Sequence, residues 1–256
     1  MNWLERHLAI FPEPELVLVI GAGQGRDLPV LTAHAGRCLL VEPQPRWADD
    51  LRRKTMDRPG VEVIQSALDE SSGESELTVF NFPELSCLRP DPMLEARFPG
   101  ARVASRLPVE TLSLSDLVQR CGIQPGPNNW LVADAPGLES ILLSALRDAD
   151  LTRCFPHLVL RSGSGVGRVS DSGSPMDAFI ECGYRGLGNG DIGDRDGTNV
   201  HYMFVDRFPL RRDLEEKIQV LERRLVALTS KNEDLLEQLS EARLASDARR
   251  SEIRLW

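Results

Sequence analysis

Short strand-like runs alternate with amphipathic stretches along the first part of the chain. The runs are residues 16–20 (LVLVI), 38–41 (CLLV) and 61–64 (VEVI). Apolar residues at helical spacing separate them: Leu28, Leu31 and Ala35 after the first run, and Trp47, Leu51 and Met56 after the second. This alternation predicts an α/β domain with a doubly wound, mostly parallel sheet.

The alternation continues to about residue 208. Residues 76–80 predict an antiparallel strand added to the sheet, and residues 83–108, which contain several prolines, are predicted to be irregular. Later strands are predicted at residues 130–133, 157–160, 185 onwards and 200–205, with helices at 112–118 and 138–146. We therefore expect one α/β domain over residues 1–208.

The pattern changes from about residue 209. Two sets of residues each repeat every seven positions: Leu214, Leu221, Leu228 and Leu235, and between them Ile218, Leu225, Asn232 and Leu239. These are the d and a positions of a coiled coil, and an Asn at an a position favours a parallel pair. Residues 209–256 are thus predicted to form a coiled-coil helix that makes a homodimer. The alternatives are pairing with another protein or a single helix packed on its own domain.

The first strand-like run ends in a cluster of glycines. Gly21, Gly23 and Gly25 are typical of a tight turn from a buried strand into a helix, where a ligand approaches the backbone. Glu42 ends the second run, roughly 20 residues after the first glycine, where an acid can accept hydrogen bonds from both hydroxyls of a ribose. Together these residues predict a nucleoside-binding site; the alternative is a turn that binds no ligand.

The spacing of the glycines narrows the choice of ligand. A dinucleotide site has the pattern G-x-G-x-x-G, whereas this chain has Arg26 at the last of these positions. The pattern G-x-G-x-G suits a nucleoside without a phosphate, and we expect S-adenosylmethionine as the cofactor. A nicotinamide-dependent oxidoreductase would keep the α/β fold but requires a pyrophosphate-binding turn that this pattern lacks.

Composition excludes several classes of partner. The 256-residue chain has a formal net charge of −9 with its basic residues scattered among acids, so no nucleic-acid partner is expected. No apolar run approaches the roughly 20 residues that cross a bilayer, and the first residues lack a signal-peptide pattern. The lack of both patterns, together with five widely spaced cysteines, favours a cytoplasmic protein with reduced thiols. Asp191, Asp194 and Asp196 lack the spacing of a calcium loop, and no metal site is predicted.

Five segments, taken in order, resemble the FkbM-type S-adenosylmethionine-dependent methyltransferases. They are residues 17–25 (VLVIGAGQG), 41–45 (VEPQP), 66–73 (SALDESSG), 109–117 (VETLSLSDL) and 131–139 (LVADAPGLE). The resemblance spans about residues 16–206 and implies the Rossmann-like fold of class I methyltransferases. It also implies methyl transfer to hydroxyl groups of sugars or other small acceptors.

The resemblance assigns roles to particular residues. Gly21, Gly23 and Gly25 would face the cofactor, Glu42 would hold its ribose, and Ser66 and Ala67 would lie near its adenine. Asp134 would lie where the methyl group meets the acceptor, and is therefore the candidate catalytic residue. His157 and His201 are further candidates as helpers, with a purely structural role as the alternative for each.

Three positions depart from the family's pattern. Val19, Pro136 and Arg161 stand where the family has acids, which removes candidate general bases. The expected function is a methyltransferase acting on an oxygen of a small or glycan-like acceptor. The alternative is a binding or assembly module that has lost catalysis and is dimerised by the coiled coil.

Overall fold

The computed structural model describes residues 13–90, 94, 98–135, 137–163, 179–190 and 199–206. The strands are β1 (Leu16–Ile20), β2 (Arg37–Val41), β3 (Val61–Ile64), β4 (Ala67–Leu68), β5 (Gly73–Phe80), β6 (Val103–Leu112), β7 (Asn129–Ala133), β8 (His157–Gly163), β9 (Tyr184–Gly190) and β10 (Asn199–Asp206). The α-helices are α1 (Leu28–His34), α2 (Pro45–Thr55), α3 (Leu114–Arg120), α4 (Leu138–Ala145) and α5 (Ala149–Cys154), and Pro83–Leu85 forms a 3-10 helix.

Seven strands form the main sheet, in the order β3-β2-β1-β7-β8-β10-β9. The first five of these are mutually parallel, while β10 runs antiparallel to both β8 and β9. The predicted mostly parallel, doubly wound sheet is therefore confirmed. The reversal of strand order beside β1 places its carboxyl end at the crevice where such sheets bind ligands.

All five residues of β1 are buried, and their side chains alternate between two apolar clusters. Leu16, Leu18 and Ile20 belong to the cluster that includes side chains of α3, α4 and α5. Val17 and Val19 belong to the cluster that includes side chains of α1 and α2. A continuous apolar run is what a parallel strand covered on both faces requires, so the helices lie on both sides of the sheet.

A smaller sheet contains β4, β6 and β5 in that order. The predicted antiparallel strand at residues 76–80 is confirmed within β5, which pairs with β6. Its predicted addition to the main sheet is wrong, because β5 belongs to this separate sheet. The prediction that residues 83–108 are irregular is wrong for the start of β6. Residues 103–106 are exposed and carry no apolar alternation, so pairing with β5 rather than burial holds this part of the strand.

Two short helices differ from the sequence prediction. The predicted helix at residues 112–118 begins only at Leu114, because Leu112 still belongs to β6 and Ser113 caps the helix by accepting the backbone N–H of Asp116 at 3.1 Å. Helix α5 was not predicted, although Asp148 caps it by accepting the backbone N–H of Asp150 at 2.9 Å.

Several sequence predictions lie outside the described residues. These are the coiled coil at residues 209–256 and the aspartates of residues 191–198. Within the described ranges, no helix combines the length and the apolar character needed to cross a membrane. The five cysteines are all free, with four buried and Cys182 half-buried.

Candidate functional site

The glycine turn after β1 lies beside the carboxyl ends of β2 and β7. The backbone N–H groups of Gly21 and Ala22 both donate to the carbonyl oxygen of Val41, each at 3.0 Å. Asp134, which follows β7, donates its backbone N–H to the carbonyl oxygen of Ile20 at 2.8 Å. The ends of three neighbouring strands are therefore joined at one place, as the sequence predicts for a ligand site.

Glu42, the first residue after β2, is buried with 2% of its surface exposed. Its Oε2 accepts the backbone N–H of Gly23 at 2.8 Å, and its Oε1 accepts that of Gln44 at 2.9 Å. The carboxylate thus connects the glycine turn to the start of α2. Because a carboxylate has about four acceptor positions, each oxygen can still accept a hydrogen bond from a ligand hydroxyl.

Burial controls the ionisation of this carboxyl group. It raises the pKa of Glu42 to about 7, and the N–H groups of Gln44 and Gly23 oppose it by favouring the charged form. Glu42 is therefore charged above pH 7 and increasingly protonated below it. Since ribose hydroxyls bind more strongly to a charged acceptor, a ribose ligand should favour the deprotonated state.

Several backbone N–H groups of the turn are already bonded within the protein. Besides those of Gly21, Ala22 and Gly23, the N–H of Gly25 donates to Ala22 at 2.9 Å and that of Leu28 to Gly25 at 3.2 Å. A pyrophosphate-binding turn directs such groups at phosphate oxygens. The turn therefore suits a nucleoside without phosphate better than a dinucleotide.

A cavity of about 440 Å³ opens beside the turn. It brings together most of the predicted site residues: Gly21, Gly23, Gly25, Glu42 and Asp134. Trp47 and Lys54 of α2 also line it, and Lys54 donates from Nζ to the carbonyl oxygen of Gln24 at 2.7 Å. Neither α2 residue was predicted to belong to the site.

A second cavity, of about 310 Å³, shares Gly21 with the first and is lined by Ser66 and Ala67. Apolar side chains form much of its wall, among them Leu138 and Ile141. Ser66 is fully buried, and its Oγ has no hydrogen-bond partner among the described residues. Leaving a buried hydroxyl unpaired costs stability, so this atom fits a place where a ligand presents a polar edge.

One segment missed by the sequence predictions forms part of the wall of both cavities. Pro83 and Glu84 line the first cavity, Ser86 lines both, and Cys87, Leu88 and Arg89 line the second. The segment joins the site because it pairs with β5, a long-range contact that no local pattern reveals. Glu84 thereby brings a carboxylate to the first cavity from outside the segments that resemble the family.

The two histidines differ in what the structure describes. His157 begins β8, at the edge of the sheet away from the glycine turn, and its Nε2 donates to the carbonyl oxygen of Pro127 at 3.0 Å. Its ring stacks on Trp130, with centroids 4.9 Å apart, and burial lowers its pKa. The helper role for His157 is therefore wrong. His201 lies in β10, where only the backbone is described.

The three departures from the family's pattern also lie in different surroundings. Val19 is buried in the apolar cluster that also contains side chains of α1 and α2. Arg161 lies in β8, and its backbone pairs with His201. Pro136 falls outside the described residues.

No family model matches the sequence, and no curated protein matches it either. Among solved structures, the chain is similar to fibrillarin from Aeropyrum pernix with natively bound S-adenosyl-L-methionine, at 14% identity over 76% of this chain and 69% of that one, with a TM-score of 0.44. It is also similar to a TehB-like SAM-dependent methyltransferase from Corynebacterium glutamicum, at 14% identity over 79% and 87% of the two chains, with a TM-score of 0.43. For the N-methyltransferase NodS from Bradyrhizobium japonicum the identity is 12% over 79% and 91%, and the TM-score is 0.45. These similarities concern the fold alone.

Proposed function

We propose that the chain binds S-adenosylmethionine at this site and transfers its methyl group to an oxygen of a small or glycan-like acceptor, as an FkbM-type methyltransferase. The observation that carries the proposal is the placement of Glu42. It is a buried carboxylate at the end of β2, held by two backbone N–H groups and lining the cavity beside the glycine turn. In doubly wound sheets, an acidic side chain at this place hydrogen-bonds the ribose of a bound nucleotide.

The residues of both cavities fit the parts of this cofactor. Glu42 would accept the hydroxyls of the ribose, and the turn from Gly21 to Gly25 would face the amino-acid portion. Ser66 and Ala67 would contact the adenine in the second cavity, where the unpaired Ser66 Oγ can bond to a polar edge of the base. The apolar walls of that cavity suit the faces of a purine.

The charges that line the first cavity agree with a cationic ligand. Three carboxylates, of Glu42, Glu84 and Asp134, line it together with the cations Arg26 and Lys54. Lys54 is held by the carbonyl oxygen of Gln24. Above pH 7, where Glu42 is charged, the carboxylates outnumber the cations by one. Acidic groups at short range stabilise a positive charge, such as that of a sulfonium.

Positioning is the main task of the protein in this reaction. When bound, the cofactor supplies an electrophilic methyl group, and the acceptor oxygen must lie in line with the bond that breaks. Asp134 is the proposed catalytic residue, because its carboxylate can orient an acceptor hydroxyl and take up its proton as the new bond forms. Glu84 lines the same cavity and is a second carboxylate for that task.

Calorimetry with S-adenosylhomocysteine tests the cofactor proposal. At pH 8 we expect saturable binding, and at pH 6 about tenfold weaker binding. The sign follows from Glu42, whose pKa of about 7 means that it must lose a proton on binding at pH 6 but is already charged at pH 8. NADH serves as the control and should not bind. Absence of saturable binding at millimolar concentration and pH 8 would refute the proposal.

A non-catalytic assembly module is the second candidate function. It is favoured by Val19, Pro136 and Arg161, which stand where the family has acids, and by the heptad leucines of residues 209–256. A chain that binds S-adenosylhomocysteine, yet transfers no labelled methyl group to a pool of hydroxyl acceptors, would support this function over the enzyme.

The proposed coiled coil predicts the oligomeric state. Light scattering should give the full chain twice its 28.5 kDa mass, and a chain ending at residue 208 the mass of a monomer. Replacing Asn232 with Ile should raise the Tm and loosen the choice of oligomer, because the polar pair that opposes other registers is lost. A mass near 28.5 kDa for the full chain at micromolar concentration would contradict pairing.

A further inference from the structure

Residues 83–89, here named the cover segment, belong to the walls of both cavities. Pro83 and Glu84 line the first cavity, Ser86 lines both, and the second is also lined by Cys87, Leu88 and Arg89. The segment lies in the chain between β5 and β6, so it is not part of the main sheet. The shape of both cavities therefore depends on what holds this segment in place.

The middle of the cover segment is fixed by the backbone. Thr78 and Cys87 exchange two hydrogen bonds, of 3.0 and 3.1 Å, which extend the pairing of β5. The backbone N–H of Phe80 also donates to Oγ of Ser86 at 3.3 Å. Cys87 is buried in an apolar cluster with Phe80. These contacts fix Ser86 and Cys87, which also line the second cavity, but they end before Leu88 and Arg89, the last residues of the segment that line it.

The end of the segment is held by an ion pair. Nη2 of Arg89 donates to Oδ1 and Oδ2 of Asp69 at 2.7 and 3.1 Å. The side chain of Asp69 is 11% exposed, and that of Arg89 is 63% exposed. Asp69 is itself fixed, because its N–H donates to the carbonyl oxygen of Leu112 at 3.0 Å and its Oδ1 accepts the N–H of Glu70 at 2.7 Å.

The position of Asp69 connects this ion pair to the wall of the second cavity. Asp69 follows β4 directly, and the two residues of β4, Ala67 and Leu68, line the second cavity. The ion pair thus joins two parts of the wall of one cavity, the cover segment and β4. We propose that Arg89 is a positioning residue for nucleoside binding, which holds the cover segment against β4 through Asp69 and keeps the second cavity closed around a base.

This inference rests on the proposed function, and two probes test it. Arg89→Met should weaken binding of S-adenosylhomocysteine and of adenosine by the same factor of about five. This is the loss of affinity expected when one charged hydrogen bond with an exposed donor is removed. Both probes should respond because both carry the base. Asp69→Asn, which keeps an acceptor for the Glu70 N–H, should have a similar effect. Arg89→Lys should keep the affinity within about twofold of the wild type, because a single nitrogen of Arg89 makes both contacts and the lysine ammonium can replace it.

Arg106→Met is the matched control. Arg106 pairs with Glu76 at 2.8 Å in the same small sheet, has the same 63% side-chain exposure as Arg89, and lines neither cavity. Its loss should leave both affinities unchanged. Amide hydrogen exchange without ligand should be faster at residues 86–89 in Arg89→Met than in Arg106→Met. Wild-type affinity in Arg89→Met, or unchanged exchange at these residues, overturns the inference. A wild type that binds neither probe refutes the proposed function instead, and the exchange comparison then decides whether Arg89 anchors the segment.

Discussion

A chain with Glu42 replaced by glutamine should bind S-adenosylhomocysteine about 10- to 150-fold more weakly than the wild type at pH 8. The wild-type carboxylate accepts one backbone N–H on each oxygen, from Gly23 and from Gln44. A glutamine amide has one acceptor oxygen and one donor nitrogen, so its NH2 group would face one of these backbone N–H groups and leave that N–H without its acceptor. The charge that strengthens bonds to the ribose hydroxyls is also lost, and bonds to charged groups contribute roughly 1.5–3 kcal/mol.

The pH dependence tests whether Glu42 is the group whose charge strengthens binding. Glu42→Gln should bind equally weakly at pH 6 and pH 8, because the group that titrates near pH 7 is absent. Glu62→Gln is the control, since Glu62 lies exposed in β3 and lines neither cavity. Its affinity and pH dependence should match the wild type. If Glu42→Gln kept both, the ribose would have to bind elsewhere.

The main sheet was predictable because each of its parallel strands has a recognisable local pattern, a short apolar run. The run at residues 16–20 is buried on both faces, and only a central parallel strand requires so continuous an apolar stretch. Strand β6 was not predicted. Its first residues are exposed and it contains Pro108, so the order of this strand comes from pairing with β5 rather than from its own pattern.

The residues of the site also divide into those that were predictable from the sequence and those that were not. Gly21, Glu42 and Asp134 each lie at the carboxyl end of a parallel strand, where short-range patterns and sheet topology together fix their neighbours. Glu84 and Arg89 belong to a segment that reaches the cavities through contacts with β5 and with Asp69. Such contacts between distant parts of the chain leave no periodic signal in the sequence.

His157 shows why position within a strand matters as much as the strand itself. The sequence located β8 correctly, and a histidine beside it was a reasonable helper. However, His157 is the first residue of β8, whereas the ligand crevice lies at the carboxyl ends of the parallel strands. The ring therefore packs on Trp130, far along the strands from Glu42 and Asp134.

Replacing Gly21 with alanine should lower the free energy of unfolding by about 2–5 kcal/mol. The glycine has a φ of +80°, a conformation that costs other residues roughly 1–2 kcal/mol. A Cβ atom there would also lie 2.9 Å from the backbone carbonyl carbon of Asp134, and forcing atoms into such packed surroundings costs about 1–3 kcal/mol. Urea denaturation measures the loss. Because the strain falls on the junction of β1 and β7, binding of S-adenosylhomocysteine should be lost as well.

Gly23→Ala is the matched control for this result. Gly23 also has a positive φ, +54°, but the nearest atom to its Cβ position is a carbon of the Trp47 ring at 3.8 Å, an ordinary contact distance. This variant should therefore lose only the conformational contribution, about 1–2 kcal/mol, while its backbone N–H still donates to Glu42. Equal losses in the two variants would show that the approach of Gly21 to Asp134 adds nothing to the stability of the site.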